Sequence, residues 1–268
     1  METRLKEVLA VVNNKGGVGK TTTVQSMAAA IVRRHKGERV LVVDLDAQRH
    51  LSILHGFKQQ QGERTIYDAI VERRGVPVYP TKRENVYLAP SAAEMEAADV
   101  AIASKPGNPH RVLARCFETP LDDHTGEGLT NVIEAFDYVL IDCPPALSQI
   151  TYNAMVMATG VLVPVQLENL AVDGMKNLLL AMSETRRDDN RNLELRGIVL
   201  TMVNQQLNVT KGLTERLRES LGSQVCRTVI RRNVKLVEAQ GNYQDIYGYR
   251  QWCPAAIDYD ALAKELFD

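Results

Sequence analysis

A chain of 268 residues, 45% hydrophobic and 24% charged, can bury a full core and fits one sizeable domain. Its formal net charge of −1 gives no overall field to attract nucleic acid, so any such contact must come from a local patch. The four cysteines (Cys116, Cys143, Cys226 and Cys253) lack C-x-x-C spacing, which argues against a zinc site or a disulfide framework. No apolar run reaches 18 residues, and residues 1–7 are too few and too charged for a signal peptide. The expectation is a soluble, cytoplasmic protein.

The first predicted strand is the apolar run 8–12. Asn13-Asn14-Lys15-Gly16-Gly17-Val18-Gly19-Lys20-Thr21-Thr22 follows, then a segment with Val24, Met27, Ala28, Ile31 and Val32 at helical spacing. Strand, glycine turn and helix start together make a phosphate-loop pattern a site. Glycines let backbone N–H groups converge on phosphate oxygens, the helix N-terminus adds partial positive charge, and Lys20 adds a full one. Thr21 is placed to offer its hydroxyl to the magnesium that accompanies a nucleotide. The G-x-x-x-x-G-K-[ST] pattern fails at its first glycine, which is Asn14, and Lys15 supplies a second cation. Triphosphate charge must be neutralised for transfer, so that cation is expected to act.

The second predicted strand, 40–45, runs into Asp44 and Asp46. Two apart on an extended chain, they point the same way, and a magnesium-nucleotide would relieve their repulsion. The alternative is that they cap the next element. Further strands at 86–89, 139–141, 161–165, 198–203 and 229–230 alternate with helical stretches. Their near-continuous Val, Leu and Ile content predicts a mostly parallel, twisted sheet with helices on both faces, an α/β single domain over 1–268. Ligands bind such sheets at the carboxyl ends of strands, where these motifs fall. Residues 104–128 break the rhythm with prolines, glycines and acids, around a short helix predicted at 111–117. The strand at 139–141 meets Asp142-Cys143-Pro144-Pro145, and Asn204 ends the strand at 198–203. Beyond it the cations Lys211, Arg216, Arg218, Arg227, Arg231, Arg232 and Lys235 face only Glu215 and Glu219.

The string from Lys15 to Thr22 resembles the deviant Walker A motif of the ParA/MinD family of ATPases, closest to Soj-like ParA partition ATPases. The resemblance runs from about residue 8 to about 266, apart from 104–128, and implies a P-loop NTPase fold using ATP and Mg2+. It places Lys15, Gly16, Gly17, Val18, Gly19, Lys20, Thr21 and Thr22 on the nucleotide, with Asn204 at the adenine edge. Thr21, Asp44 and Asp142 would serve the metal, and Asp46 would orient the attacking water. It also implies a homodimer sandwiching two ATP molecules, in which Lys15 reaches the partner's nucleotide. Ala47 stands where the family has proline, and Arg49-His50 where it has Gly-Asn, so a looser switch backbone is expected. The nitrogenase iron protein shares this fold, but its cysteine contexts are absent, and Cys143 is expected to be a small packed thiol.

Residues 228–236 resemble the family stretch I-P-R-N-V-R-L, near which partition members hold DNA. By that likeness Lys211, Arg227, Arg231, Arg232 and Lys235 would contact phosphates of double-stranded DNA without reading sequence. Arg231 stands where proline is usual, and Gln206 near where relatives place an arginine. The chain ends short and acidic, so the membrane-docking helix of MinD-type relatives is not expected. The phosphate loop begins so near Met1 that no helix-turn-helix domain is expected before it. The expected function is a nucleoid-associated partition ATPase released from DNA by hydrolysis that a ParB-like partner stimulates. Alternatives are an ATPase that positions a protein cargo on the nucleoid, a metabolic enzyme that phosphorylates or amidates a small substrate, and a non-catalytic nucleotide sensor.

Overall fold

The computed structural model describes residues 4–104, 106–167, 172–204 and 208–268, without the side chains of 172, 173, 208–211 and 213. Nine strands form one sheet in the order β5-β3-β4-β2-β6-β1-β7-β8-β9. They are β1 (Glu7–Val11), β2 (Val40–Asp44), β3 (Pro77–Pro80), β4 (Val86–Ala89), β5 (Asp122–Asp123), β6 (Tyr138–Asp142), β7 (Gly160–Gln166), β8 (Glu194–Val203) and β9 (Val225–Arg231). All neighbours are parallel except β3 and β4, which pair antiparallel.

Alternate residues of the central strands enter two separate cores, as strands covered on both faces require. Val8, Ala10, Leu41 and Val43 face one, and Leu9, Val11, Val40 and Val42 the other. The first face is covered by α3 (Ile66–Glu72), α4 (Ala98–Ala103), α5 (Val112–Glu118), α6 (Val132–Ala135), α7 (Gln149–Met157) and α8 (Val172–Asp188). The second is covered by α1 (Lys20–Arg34), α2 (His50–Leu54), α11 (Ile246–Arg250) and α12 (Pro254–Phe267). Helices α9 (Asn208–Leu221) and α10 (Val234–Gly241) flank β9.

The seven strands read from the sequence are present, with β8 and β9 longer than expected. β3 and β5 were not read. β3 begins and ends in proline, and β5 is two aspartates bonded to it in register, so neither carries an apolar signature. The 104–128 segment holds α5 close to its predicted position and then β5, which extends the sheet edge. The C-terminal helix α12 buries Ala255, Tyr259, Leu262 and Leu266 against the second core. No helix among the described residues is long and apolar enough to cross a membrane.

Candidate nucleotide site and basic face

The order β2-β6-β1 brings the motifs to one edge of the sheet. Asp142 is in register with Val11 on one side and with Asp44 on the other, so the phosphate loop and both carboxylates leave adjacent strand ends. Gly17 and Gly19 have φ of 75° and 88°, in the left-handed region that favours glycine, and Gly19 caps α1. The first turn of α1 carries no acid, so its positive end is uncompensated by its own side chains. The loop is anchored from outside: Asn13 Nδ2 donates to the Pro164 carbonyl at 2.7 Å and Thr201 Oγ1 to the Val18 carbonyl at 2.8 Å.

Lys20 is buried, and its Nζ donates to the Lys15 carbonyl at 3.2 Å. Burial pulls its pKa down, against the pull of the Asp142, Cys143 and Asp46 charges. Asp142 is fully buried, and burial, reinforced by the Asp44 carboxylate, pushes its pKa well above the usual range. The Thr21 hydroxyl and Lys20 oppose that rise, yet neither carboxylate oxygen completes a well-formed hydrogen bond among the described residues. A buried acceptor left open is costly and marks a place for a cation or its waters.

Asp44 is different. Its Oδ2 accepts from the Ser52 N–H at 2.8 Å and the Ser52 hydroxyl at 2.7 Å, and its Oδ1 accepts from the Asp46 N–H at 3.2 Å. Burial raises its pKa to about 6 in spite of those bonds. The expected extended Asp44–Asp46 pair is therefore corrected: β2 stops at Asp44 and the chain turns back over its carboxylate. Asp46 instead faces the cleft, accepts from the Gln48 N–H at 2.9 Å, and is tied through its carbonyl to the Ser91 hydroxyl at 2.8 Å. The Ser91 N–H donates to the Ser52 oxygen at 2.9 Å, so Ser52 and Ser91 lace the turn from two other elements. The turn that the proline-to-Ala47 change would loosen is held by these bonds.

The cleft over this edge encloses about 520 Å3 and is lined by Gly16, Gly17, Gly19, Lys20, Thr21 and Thr22 together with Asp46. Gln48, His50, Ile53, Leu54, Pro145, Met202 and Gln240 complete it, and none of them was read from the sequence as a site residue. Gln240 reaches it from α10 by donating to the Thr22 hydroxyl at 2.8 Å. Met202 lies in β8 with a φ of 54°, a backbone turn that sequence periodicity does not show. Asn204 follows β8 and is half-buried, while Lys15 and Val18 sit on the loop's other side, against Gly174 and Met175. Cys143 is wholly buried, as a packed thiol should be, and burial raises its pKa strongly.

The residues 6–195 match the family described as "AAA domain". The chain is 31% identical to the sporulation initiation inhibitor protein Soj of Bacillus subtilis (strain 168) over 97% of its own length and 98% of Soj's. The chain belongs to the Soj/ParA family of P-loop ATPases. Among solved structures, this ParA-family ATPase resembles a cobyrinic acid a,c-diamide synthase from Mycobacterium smegmatis with bound ADP and magnesium, with a TM-score of 0.78 and 27% identity over 97% of this chain and 93% of that one. It shares its fold with a variant of McdA from Cyanothece in complex with ATP, with a TM-score of 0.81 and 20% identity over 99% and 97% of the two chains.

The basic stretch of this ParA-family ATPase is less uniformly available than its sequence suggests. Arg231 is bound to Asp258 through Nε at 2.9 Å and Nη2 at 2.6 Å, and also reaches the Pro254 carbonyl at 3.2 Å. Lys235 Nζ pairs with Glu238 at 2.7 Å. Arg227, whose side chain is 91% exposed, has only a 3.8 Å side-chain ion pair with Glu265 among the described residues, and Arg232 is exposed at the start of the turn into α10. The side chain of Lys211, and the whole of Gln206, lie outside the described residues. Arg227 and Arg232 are thus the cations of the set most open to an anionic partner, and Arg231 mainly clamps β9 to α12.

Proposed function

We propose that this ATPase is a nucleotide-driven switch that dimerises on Mg-ATP, binds double-stranded DNA non-specifically and lets go on hydrolysis. The observation that carries it is the Asp142 carboxylate, buried with both oxygens open beside Thr21 and Lys20 at the foot of a glycine turn. Those residues fit a magnesium-nucleotide, whose charge would repay the burial cost of that acid. Bound there, Mg-ATP supplies a phosphoanhydride whose cleavage is catalysed by positioning and charge stabilisation.

In this reading the Gly16 to Gly19 backbone, Lys20, Thr21 and Thr22 hold the phosphates, with Val18 anchored beneath them. Lys20 would exchange the Lys15 carbonyl for phosphate oxygens. Thr21 and Asp142 would hold magnesium and its waters, while Asp44 shapes the switch turn that carries Asp46. Asp46 would orient the attacking water, and Lys15 would complete the partner subunit's site. Asn204 would meet the adenine. Arg227 and Arg232, doubled by dimerisation, would contact phosphates, with Lys211 and Lys235 beside them and Arg231 as their support. A ParB-like adaptor would stimulate release, in plasmid or chromosome partition and with the nucleoid as the site of action.

Sedimentation of the Asp46→Ala variant with Mg-ATP tests the switch. The expected result is a stable dimer with little turnover, and a monomer that hydrolyses ATP at the wild-type rate would overturn the assignment. The same machinery moving a protein cargo is the second reading, supported by the fold shared with McdA. Swapping candidate adaptors in a reconstituted DNA-carpet assay separates the two. The name of the M. smegmatis structure raises a small-substrate enzyme. No specific observation favours that reading: beyond the phosphate loop the cleft mixes Asp46, Gln48, His50 and Gln240 with Ile53, Leu54, Pro145 and Met202.

A further inference from the structure

Behind α2, a second cavity of about 270 Å3 lies next to the phosphate cleft, and Leu54 lines both. Its walls are Ala29, Leu54 and Val86, and its floor carries two uncharged polar groups, the Gln25 amide and the His55 imidazole. Gln25 is only 4% exposed, and it lines the cavity. His55 Nε2 is sealed from water and lacks a partner among the described residues. Burial draws the His55 pKa down to about 4, so the ring is neutral at physiological pH and can both donate and accept. At the mouth stand the Tyr243 ring, 48% exposed, and Lys82. Arg83 is not available there, because its Nε and Nη2 hold Asp245 at 3.0 and 2.6 Å.

An amide, which both donates and accepts, and a neutral imidazole whose Nε2 offers one donor or one acceptor according to its tautomer, suit the edge of a flat heteroaromatic ring. Neither suits a deep anion, which would find no cation at the floor. An apolar slot with an aromatic rim suits the faces of such a ring, and an exposed lysine at the mouth suits a phosphate that stays in water. The volume sits just below the usual range for small-molecule sites, roughly 300–1,000 Å3, and so fits a ligand no larger than a nucleoside with its phosphate outside. We propose that this cavity is a second ligand site, selective for a nucleoside or nucleoside monophosphate, with the base edge read by Gln25 and His55. Its occupancy bears on the switch through α2, whose Ser52 holds Asp44 and whose His50 and Ile53 face the phosphate cleft.

The test is isothermal titration of the full chain, saturated with Mg-ADP, with adenosine, guanosine, cytidine, uridine and their 5′-monophosphates. The expected result is one further saturable site for at least one probe, kept in Lys20→Ala, which cripples the phosphate cleft and so separates this site from the nucleotide reading. Gln25→Met, which keeps the volume, and Tyr243→Ala, on the exposed rim, should each weaken it by about fivefold to tenfold. His55→Leu should do the same. The monophosphate should lose its advantage over the nucleoside in Lys82→Ala. No binding by any of the eight probes to the wild-type chain, or binding unchanged in both Gln25→Met and Tyr243→Ala, would overturn the proposal.

Discussion

Asp44 and Asp142 end neighbouring strands in register, and the same isosteric change to asparagine should stabilise the protein at Asp142 but leave it near wild-type stability at Asp44. Asp142 carries a carboxylate that is buried, open at both oxygens and faced by another acid. Removing an uncompensated buried charge in Asp142→Asn should stabilise the nucleotide-free protein by roughly 1–3 kcal/mol at pH 7.5, less what the amide loses by lacking partners. Asp44 accepts three hydrogen bonds, and in Asp44→Asn one amide edge must turn a donor toward the Ser52 or Asp46 N–H. A charge-assisted bond of that kind is worth about 1.5–3 kcal/mol, which offsets most of the relief of a pKa raised to about 6 and leaves Asp44→Asn close to wild-type stability. The pH dependence follows from the direction of the shifts. An acid whose folded pKa is raised destabilises the fold as pH climbs from the unfolded value through the folded one. For Asp44, raised from 3.8 to about 6, that is roughly 3 kcal/mol lost between pH 4 and 7. The Asp142→Asn gain should therefore shrink toward pH 4, where the wild-type carboxyl is already protonated. Urea denaturation without nucleotide, at pH 4.5 and 7.5, measures all of this. An Asp44→Asn gain as large as that of Asp142→Asn, or an Asp142→Asn gain that does not depend on pH, would refute the reasoning.

Four other outcomes are expected. Lys20→Ala should lose at least tenfold in ATP affinity by titration calorimetry while circular dichroism stays native, since its amine bonds only a loop carbonyl in the absence of phosphates. Arg231→Ala should lower stability by about 2–4 kcal/mol, because it leaves the nearly buried Asp258 carboxylate without its cation. Arg232→Glu should leave the melting temperature within about 2 °C and change DNA retention alone. His55 gives a pH effect of the opposite sense to Asp44. With its folded pKa depressed from 6.5 to about 4, its contribution is whole above pH 6.5, and roughly 3 kcal/mol of it is lost as pH falls to 4. His55→Leu should flatten the melting curve's dependence on pH over that interval, and an unchanged slope would show that the ring is solvated.

What was legible in the sequence was local and periodic. The apolar runs gave the central strands because both their faces are buried, and the glycine string gave the phosphate loop because only glycine turns that way without strain. What stayed hidden was set by contacts between distant residues. Ser52 and Ser91, which lace the switch turn, are eight and 47 positions beyond Asp44 and carry no motif. Gln240 reaches the cleft only because α10 folds back over α1. Arg231 reads as one more cation in a run, and its commitment to Asp258 depends on how α12 packs against β9. The antiparallel β3 defeated the reading for a simpler reason: proline at both ends hides a strand that stands near the edge of the sheet.

The most direct test of the switch is retention of non-specific duplex DNA by the wild-type chain with Mg-ATP, with Mg-ADP and without nucleotide, at 50 and 200 mM salt. Two open arginines per subunit give about four phosphate contacts in a dimer, for which affinity should fall on the order of 10²-fold across that salt range. Binding that requires ATP and weakens by about that factor is the expected result. Binding that ignores the nucleotide, or fails in all three states, would contradict the claim that this ATPase grips DNA as an ATP-bound dimer.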